Sequence, residues 1–312
     1  MRAAVVDRYG PPEVVRLADV PAPVPRAGEV LVRVVATAVT AGDARIRGAR
    51  FPRGFAVPGR LALGLRGPRR PVLGGVFSGV VESVGARVTG LAPGDEVCGM
   101  TGVRMGAHAE LVAVPAARAV PKPAEVSHDD AAGVLFGGTT ALHYLRDKAQ
   151  LTRGRSVLVN GASGAVGTNA VQLAKHLGAT VTAVCSGRNA DLVRSLGADE
   201  VLDHTTTPLT GRYDVVLDAA GTVSATAGRR LLTDDGVLLL AVATLGETVL
   251  ARGRVKAGPA PERAADVTSL LERVAKGELA VVVEDVLGLD AIVDGHRRVD
   301  SGRKVGNLIV RP

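Results

Sequence analysis

The chain has 312 residues, 46% of them hydrophobic and 22% charged, with a formal net charge of +7. This supports a sizeable packed core and suggests two domains, whereas 2% aromatic content and no Trp exclude a base-stacking platform for single-stranded nucleic acid. The positive balance comes from arginines spread along the chain without a DNA-binding motif, so a phosphorylated cofactor and an acidic substrate explain it better than nucleic acid.

The opening Met1-Arg2-Ala3-Ala4-Val5-Val6 runs straight into Asp7, unlike a signal peptide, and no uncharged stretch reaches membrane-spanning length. The expectation is a soluble, cytoplasmic protein with no membrane contact. Cys98 and Cys185 are too far apart for a Cys-x-x-Cys metal pair and do not resemble a disulfide framework.

Taken in chain order, the first third reads as β-rich, with short β-branched runs at 30–35, 80–84, 96–98 and 109–114 separated by Gly/Pro turns. Ser127 then begins a helix with Asp129 and Asp130 in its first turn, where carboxylates complement the dipole. From Ser156 strands and helices alternate. Strands are predicted at 157–159, 180–184, 201–202, 215–217 and 237–241, and helices at 165–177 and 191–196, ending at Gly178 and Gly197. Alternation with buried-looking strands means βαβ units and a parallel sheet. A last helix at 261–276 precedes 281–283, and 307–310 is a strand without a helix of its own, free to return to the first domain.

The turn Asn160-Gly161-Ala162-Ser163-Gly164-Ala165-Val166-Gly167 lies directly between a predicted strand and a predicted helix. A bound pyrophosphate needs backbone N–H groups at a helix N-terminus with no side chain in the way, and glycines permit that approach. The strand–turn–helix context points to a pyridine dinucleotide. An NAD site places an acid at the end of the second strand to bind the ribose 2′-OH. Here Cys185-Ser186-Gly187-Arg188-Asn189 stands instead. Ser186 can donate to a 2′-phosphate and Arg188 can pair with it, so the expected cofactor is NADPH (NADP+).

These residues resemble the zinc-free medium-chain dehydrogenase/reductases, in the quinone oxidoreductase and enone reductase branch. The resemblance covers nearly the whole chain, through Ala92-Pro93-Gly94-Asp95-Glu96-Val97, Gly106-Ala107-His108-Ala109-Glu110, Thr139-Thr140-Ala141-Leu142, the dinucleotide turn, Ser195 to Asp203, Tyr213 to Asp218 and Gly306-Asn307-Leu308-Ile309-Val310. It implies an α/β protein with a GroES-like β-rich catalytic domain at 1–122, completed by the tail 285–312. A Rossmann doubly wound parallel-sheet domain at 123–284 would follow, with the cofactor between the two. It also implies a homodimer.

Carried over by position, Thr140 touches the nicotinamide end, and Gly161 and Ser163, Gly164, Ala165 and Val166 hold the pyrophosphate. Ser186 and Arg188 take the 2′-phosphate, with His204 where relatives have a Tyr, and Ala243 and Thr244 lie along the nicotinamide. Zinc-dependent relatives need a catalytic thiolate, a Gly-His-Glu motif and clustered cysteines. This chain has Thr40 at the thiolate position and Gly74-Gly75-Val76-Phe77 at the His-Glu region, so no metal is expected.

Without a metal, the reaction the resemblance implies is hydride delivery to a small-molecule quinone or α,β-unsaturated ketone. The developing oxyanion wants donors. Thr40, Asp43 and His108 are the candidates. Thr40 is a hydrogen-bond donor or a turn cap. Asp43 is an acid or a loop-ordering residue paired with Arg45. His108 is a proton donor on a cleft-facing strand or a packed histidine. Eight arginines and no acid between Arg45 and Arg70 form a basic flap by the cleft, suited to an anionic or carrier-bound substrate, or simply solvated. A dedicated tailoring enoyl/ketone reductase of a biosynthetic pathway remains open, as does an NADPH-binding protein with decayed catalysis, acting as sensor or scaffold.

Overall fold

The computed structural model describes residues 1–312. Six parallel strands form one sheet: Ser156–Asn160, Thr180–Cys185, Glu200–Asp203, Tyr213–Asp218, Leu232–Leu240 and Val255–Ala257. Across the sheet the third strand is outermost, followed by the second, first, fourth, fifth and sixth. The order therefore reverses between Ser156–Asn160 and Tyr213–Asp218, and such sheets bind ligands at that reversal, outside the carboxyl ends of their strands. Val157, Leu158, Val159, Val215, Val216 and Leu217 are all buried, as strands covered on both faces require.

A second, seven-stranded sheet is mostly antiparallel and is centred on Glu29–Ala38, which pairs with Val76–Val84 and Leu111–Pro115. One flank of this sheet comes from the far end of the sequence. Asn307–Arg311 runs antiparallel to Glu29–Ala38 and parallel to Val283–Gly288. The architecture is a GroES-like sheet packed on a Rossmann sheet.

The helix His128–Leu142 lies between them, capped by Ser127, whose Oγ accepts from Asp130 N at 3.0 Å. Most of this helix is buried, and one core cluster joins its Leu135 and Ala141 to Ala38 and Val76 of the catalytic sheet and to Val159 and Leu217 of the Rossmann sheet.

Several elements depart from expectation. Val15–Asp19, paired with Arg2–Val6, and the three-residue edge strand Val255–Ala257 carry too little alternation to announce themselves. The strand expected at 109–114 is Leu111–Pro115, and the one at 281–283 is Val283–Gly288. The helix at 261–276 narrows to Ala264–Ala275, beginning only after Arg263 leaves extended backbone.

Candidate functional site: a dinucleotide cleft

At the sheet's reversal point, Asn160 Nδ2 donates to Asp218 Oδ1 at 2.8 Å, tying the ends of the first and fourth strands together. Asp218 is fully buried and also accepts from the backbone N–H groups of Ala220, Gly221 and Val223 at 3.1, 2.9 and 3.0 Å. One carboxylate thus fixes the loop forming one wall of the crevice. The sequence shows Asn160 only as the first residue of the turn and Asp218 only as the end of a motif, because their pairing depends on which strands become neighbours.

The glycine turn fits a pyrophosphate for reasons that differ by position. Gly161 has φ +82°, and a Cβ there would stand 3.0 Å from Ala220 Cβ. A Cβ on Gly167 would stand 2.1 Å from Gly161 O, so only glycine lets the helix start this close to the turn. Gly164 is different: its Cβ would meet nothing nearer than Gly161 O at 3.5 Å, leaving open space over the helix start. The helix Ala165–His176 has no side-chain cap at Gly164, so the amides of Ala165, Val166 and Gly167 begin it without intrahelical partners. Open space, free amides and a positive dipole end are what a diphosphate needs.

Ser163 Oγ accepts from Asn189 Nδ2 at 3.1 Å, which leaves its own proton to donate outward. Thr140 is brought beside the turn by backbone contact, because a Cβ on Gly137 would stand 2.1 Å from Ala165 O. Thr140 Oγ1 donates to Phe136 O at 2.7 Å and keeps acceptor capacity.

Ser186 and His204 come together at the ends of neighbouring strands, with Ser186 Oγ and His204 Nε2 3.4 Å apart, and exposed Arg188 lies in the adjoining turn Gly187–Asn189. The expectation that no carboxylate stands here needs correction. Asp203, from the third strand, brings Oδ2 to 2.5 Å from where a Gly187 Cβ would be. The backbone N–H of Thr205 first, then its hydroxyl at 2.7 Å, hold Asp203 below the usual carboxylate range. Its Oδ1 is thus held within the loop, while the carboxylate stays ionised beside Gly187.

Ala243 packs against the Rossmann core, and Thr244 caps the short helix Leu245–Val249. Thr244 Oγ1 donates to Glu247 at 2.9 Å and accepts from Glu247 N at 3.1 Å, which fixes the chain's turn at this end of the cleft.

The substrate-side candidates are equally occupied. Thr40 caps the helix Ala41–Gly48: its Oγ1 donates to Asp43 Oδ2 at 2.5 Å and accepts from Asp43 N at 3.3 Å. Asp43 does not pair with Arg45. Its carboxylate takes Thr40 N at 2.9 Å and Gly74 N at 3.1 Å, so it orders two loops at once. His108 lies before the strand Leu111–Pro115 rather than on it. Its ring is buried, with Nε2 donating to Ala38 O at 3.1 Å and an edge-to-face contact to His296 at 6.0 Å. Gly74, at φ +102°, packs so closely on this ring that a Cβ would stand 2.7 Å from its Cδ2.

His296 itself is buried with both ring nitrogens unpartnered, and burial, reinforced by His108, Arg47 and Arg50, pushes its pKa down to about 2. A further residue escaped the sequence reading. Lys304 Nζ donates to Gly306 O, and Gly306 N in turn donates to Ser163 O at 2.8 Å, which sets a buried amine behind the dinucleotide turn. Burial pulls its pKa down to about 8. The Gly-Asn-Leu-Ile-Val strand next to it was the available signal.

Known proteins match this geometry. Residues 26–124 match the family described as "Alcohol dehydrogenase GroES-like domain" and residues 196–310 that described as "Zinc-binding dehydrogenase". A 2-methylene-furan-3-one reductase of Solanum lycopersicum is 30% identical over all of this chain and 79% of the relative. Among solved structures, the quinone oxidoreductase from Coxiella burnetii superposes with a TM-score of 0.89 at 26% identity, covering 100% of this chain and 99% of that one. The chain belongs to the medium-chain dehydrogenase/reductases, in the quinone oxidoreductase branch.

Two further members sharpen the picture. A mycobacterial protein solved in complex with NADPH superposes with a TM-score of 0.83 at 26% identity, covering 100% of both chains. A spectinabilin polyketide synthase system protein of Streptomyces orinoci is 36% identical over 80% of this chain, which spans 12% of that much longer relative. The family and its dinucleotide turn make the protein an oxidoreductase that uses a nicotinamide cofactor. No helix is long and apolar enough to cross a membrane.

Proposed function

We propose that the protein is an NADPH-dependent, zinc-independent oxidoreductase that reduces a quinone or an α,β-unsaturated ketone. The observation that carries the reading is the pairing of an uncapped, sterically open helix start at Gly164 with the Ser186, Arg188 and His204 cluster at the neighbouring strand ends. The relative solved with NADPH and the two reductase relatives support it.

When bound, the reduced nicotinamide supplies hydride; the chain supplies position and electrostatics. The turn amides and Ser163 Oγ hold the diphosphate. Arg188 and Ser186 take the 2′-phosphate, while the still-charged Asp203 carboxylate is held by hydrogen bonds from Thr205. Thr140 presents an acceptor beside the turn. Thr40 already gives its proton to Asp43, so it offers the substrate oxygen no ready donor, and the proton that completes reduction comes from water. Thr40 at the thiolate position, itself a helix cap, supports the zinc-independent reading.

The purified protein is expected to shift NADPH fluorescence and to oxidise NADPH with a panel of quinones and enones. Tight NADPH binding with no turnover of any acceptor would overturn the enzymatic reading in favour of a sensor or scaffold.

A second reading, a reductase dedicated to one biosynthetic intermediate, is favoured by the 36% identical polyketide synthase system relative and by the arginine-rich flap. It predicts poor activity on simple quinones.

A further inference from the structure

Leu17, Val24, Val103 and Val286 are exposed singly, but the other five exposed large apolar side chains, Val57, Leu61, Leu65, Val249 and Leu250, are each more than half exposed and fall in two segments. These segments touch: Leu245 N donates to Arg53 O at 2.8 Å, and Gly54 lies so close that a Cβ would stand 2.6 Å from Leu245 Cβ. One segment comes from the catalytic domain and the other follows Thr244, beyond the carboxyl end of Leu232–Leu240, where a parallel sheet of this kind presents its ligand. The helix Ala56–Leu63 buries none of its residues, with Val57 and Leu61 one turn apart and Leu65 just past its end.

The free charge around this patch is basic: its one acid, Glu247, is engaged by Thr244 and by Ala225 N. Arg53, Arg66, Arg69 and Arg70 are exposed with no carboxylate partner, Arg60 sits over the Tyr9 ring at 5.5 Å, and no acid occurs between Asp43 and Glu82. Asp43 is buried and engaged. An apolar patch ringed by guanidinium groups without carboxylate partners, at the mouth of a cleft, is complementary to an acidic protein with apolar side chains among its carboxylates.

We propose that residues 51–70 and 245–252 form the docking surface for an acidic carrier protein that delivers the substrate into the cleft as an α,β-unsaturated thioester. The proposal rests on the reductase reading above and names the form in which its substrate arrives. The β-carbon receives hydride from the reduced nicotinamide, the α-carbon receives a proton from water, and the thioester bond stays intact. A second copy of this chain is a poor occupant, because an isologous contact would set arginines against arginines. An anionic membrane is disfavoured because the exposed helix has only eight residues, contains Pro58 and Gly59, and has its flanking Phe51 and Phe55 half-buried rather than free to anchor.

The test uses the full chain with NADPH and a crotonyl thioester in two forms: on an acidic acyl carrier protein, and on a free N-acetylcysteamine arm. Binding of the carrier is measured separately by fluorescence polarisation. The expected result is a kcat/KM on the carrier roughly 10-fold or more above that on the free arm, with the advantage falling as salt rises. Charge reversal by Arg66→Glu with Arg69→Glu should remove that advantage and the carrier binding. It should leave the free-arm rate and NADPH binding unchanged.

Equal kcat/KM for both forms, or equal loss on both, overturns the docking surface. Leu61→Ser is the second variant, giving the same discrimination without charge reversal. Binding of phosphatidylglycerol vesicles lost in the same variants would reassign the surface to a membrane, and a variant-sensitive change of mass in solution would reassign it to a second copy. Carrier binding without turnover of either thioester would leave the surface standing and overturn the reductase reading instead.

Discussion

Two polar loops lean on the same helix, His128–Leu142, and use their hydrogen-bonding groups in opposite ways. The dinucleotide turn touches it where Ala165 O meets Gly137, and the loop beginning at Thr40 touches it where Gly42 lies near Phe136. The first leaves amides at a helix start without partners. The second closes every strong group on itself: Thr40 with Asp43, and Asp43 with Gly74. Unpartnered donors in open space are the mark of a ligand site, whereas a satisfied network is the mark of a support. The difference explains why cofactor binding is firmly legible in this chain and the acid–base chemistry is not.

The strongest way to break the comparison lies in its glycines. Gly167→Ala would push a methyl group into Gly161 O and is expected to cost more than about 3 kcal/mol and lower soluble yield. Gly164→Ala has room for its methyl group, so the melting temperature should hold while NADPH affinity falls markedly. Calorimetric titration beside thermal unfolding separates the two, and equal destabilisation by both would remove the distinction between a packing glycine and a ligand glycine.

Arg188→Ala should weaken NADPH by roughly 1.5–3 kcal/mol, the worth of a charged hydrogen bond, while NADH changes little. Parallel losses for both cofactors would mean that Arg188 does not read the phosphate.

On the supporting side, His296 sharpens the contrast. It is held neutral in the fold, with its pKa pushed from 6.5 to about 2, so the unfolded chain binds its proton first as pH falls. Its contribution is complete above about pH 6.5 and is lost progressively below it. His296→Leu removes two unpartnered buried nitrogens and should gain about 1–3 kcal/mol at pH 5, with a smaller gain at pH 8. Denaturant midpoints at the two pH values decide it. A loss at both would show that the imidazole has partners it needs.

The smallest effect is expected at Thr40. Thr40→Ala removes a helix cap and should cost about 1 kcal/mol of stability, which Thr40→Ser restores. If turnover falls by far more than stability does, and Ser rescues it, Thr40 acts on the substrate after all.

The Rossmann sheet was readable in advance because buried parallel strands and their helices carry a period of their own, with Gly178 and Gly197 marking the helix ends. The turn was readable because glycine is demanded by contacts within a few residues of it. What escaped depends on distant partners. Nothing near Asp203 in the chain says that it will lie beneath Gly187, nothing near His108 says that Gly74 and His296 will enclose it, and Lys304 acquires its place only through Gly306 and Ser163. Local pattern writes elements; it cannot write which side chain will be trapped between them.

The strand Asn307–Arg311 carries a consequence for the order in which the molecule can be assembled. It fills a place between Val283–Gly288 and Glu29–Ala38, so the sheet that Glu29–Ala38 begins stays open until a strand far downstream in the sequence has emerged. Loop closure over that separation is slow. The Rossmann strands pair with near neighbours and are complete earlier. The nascent catalytic sheet therefore waits with an unpaired edge, the state most exposed to strand-to-strand aggregation.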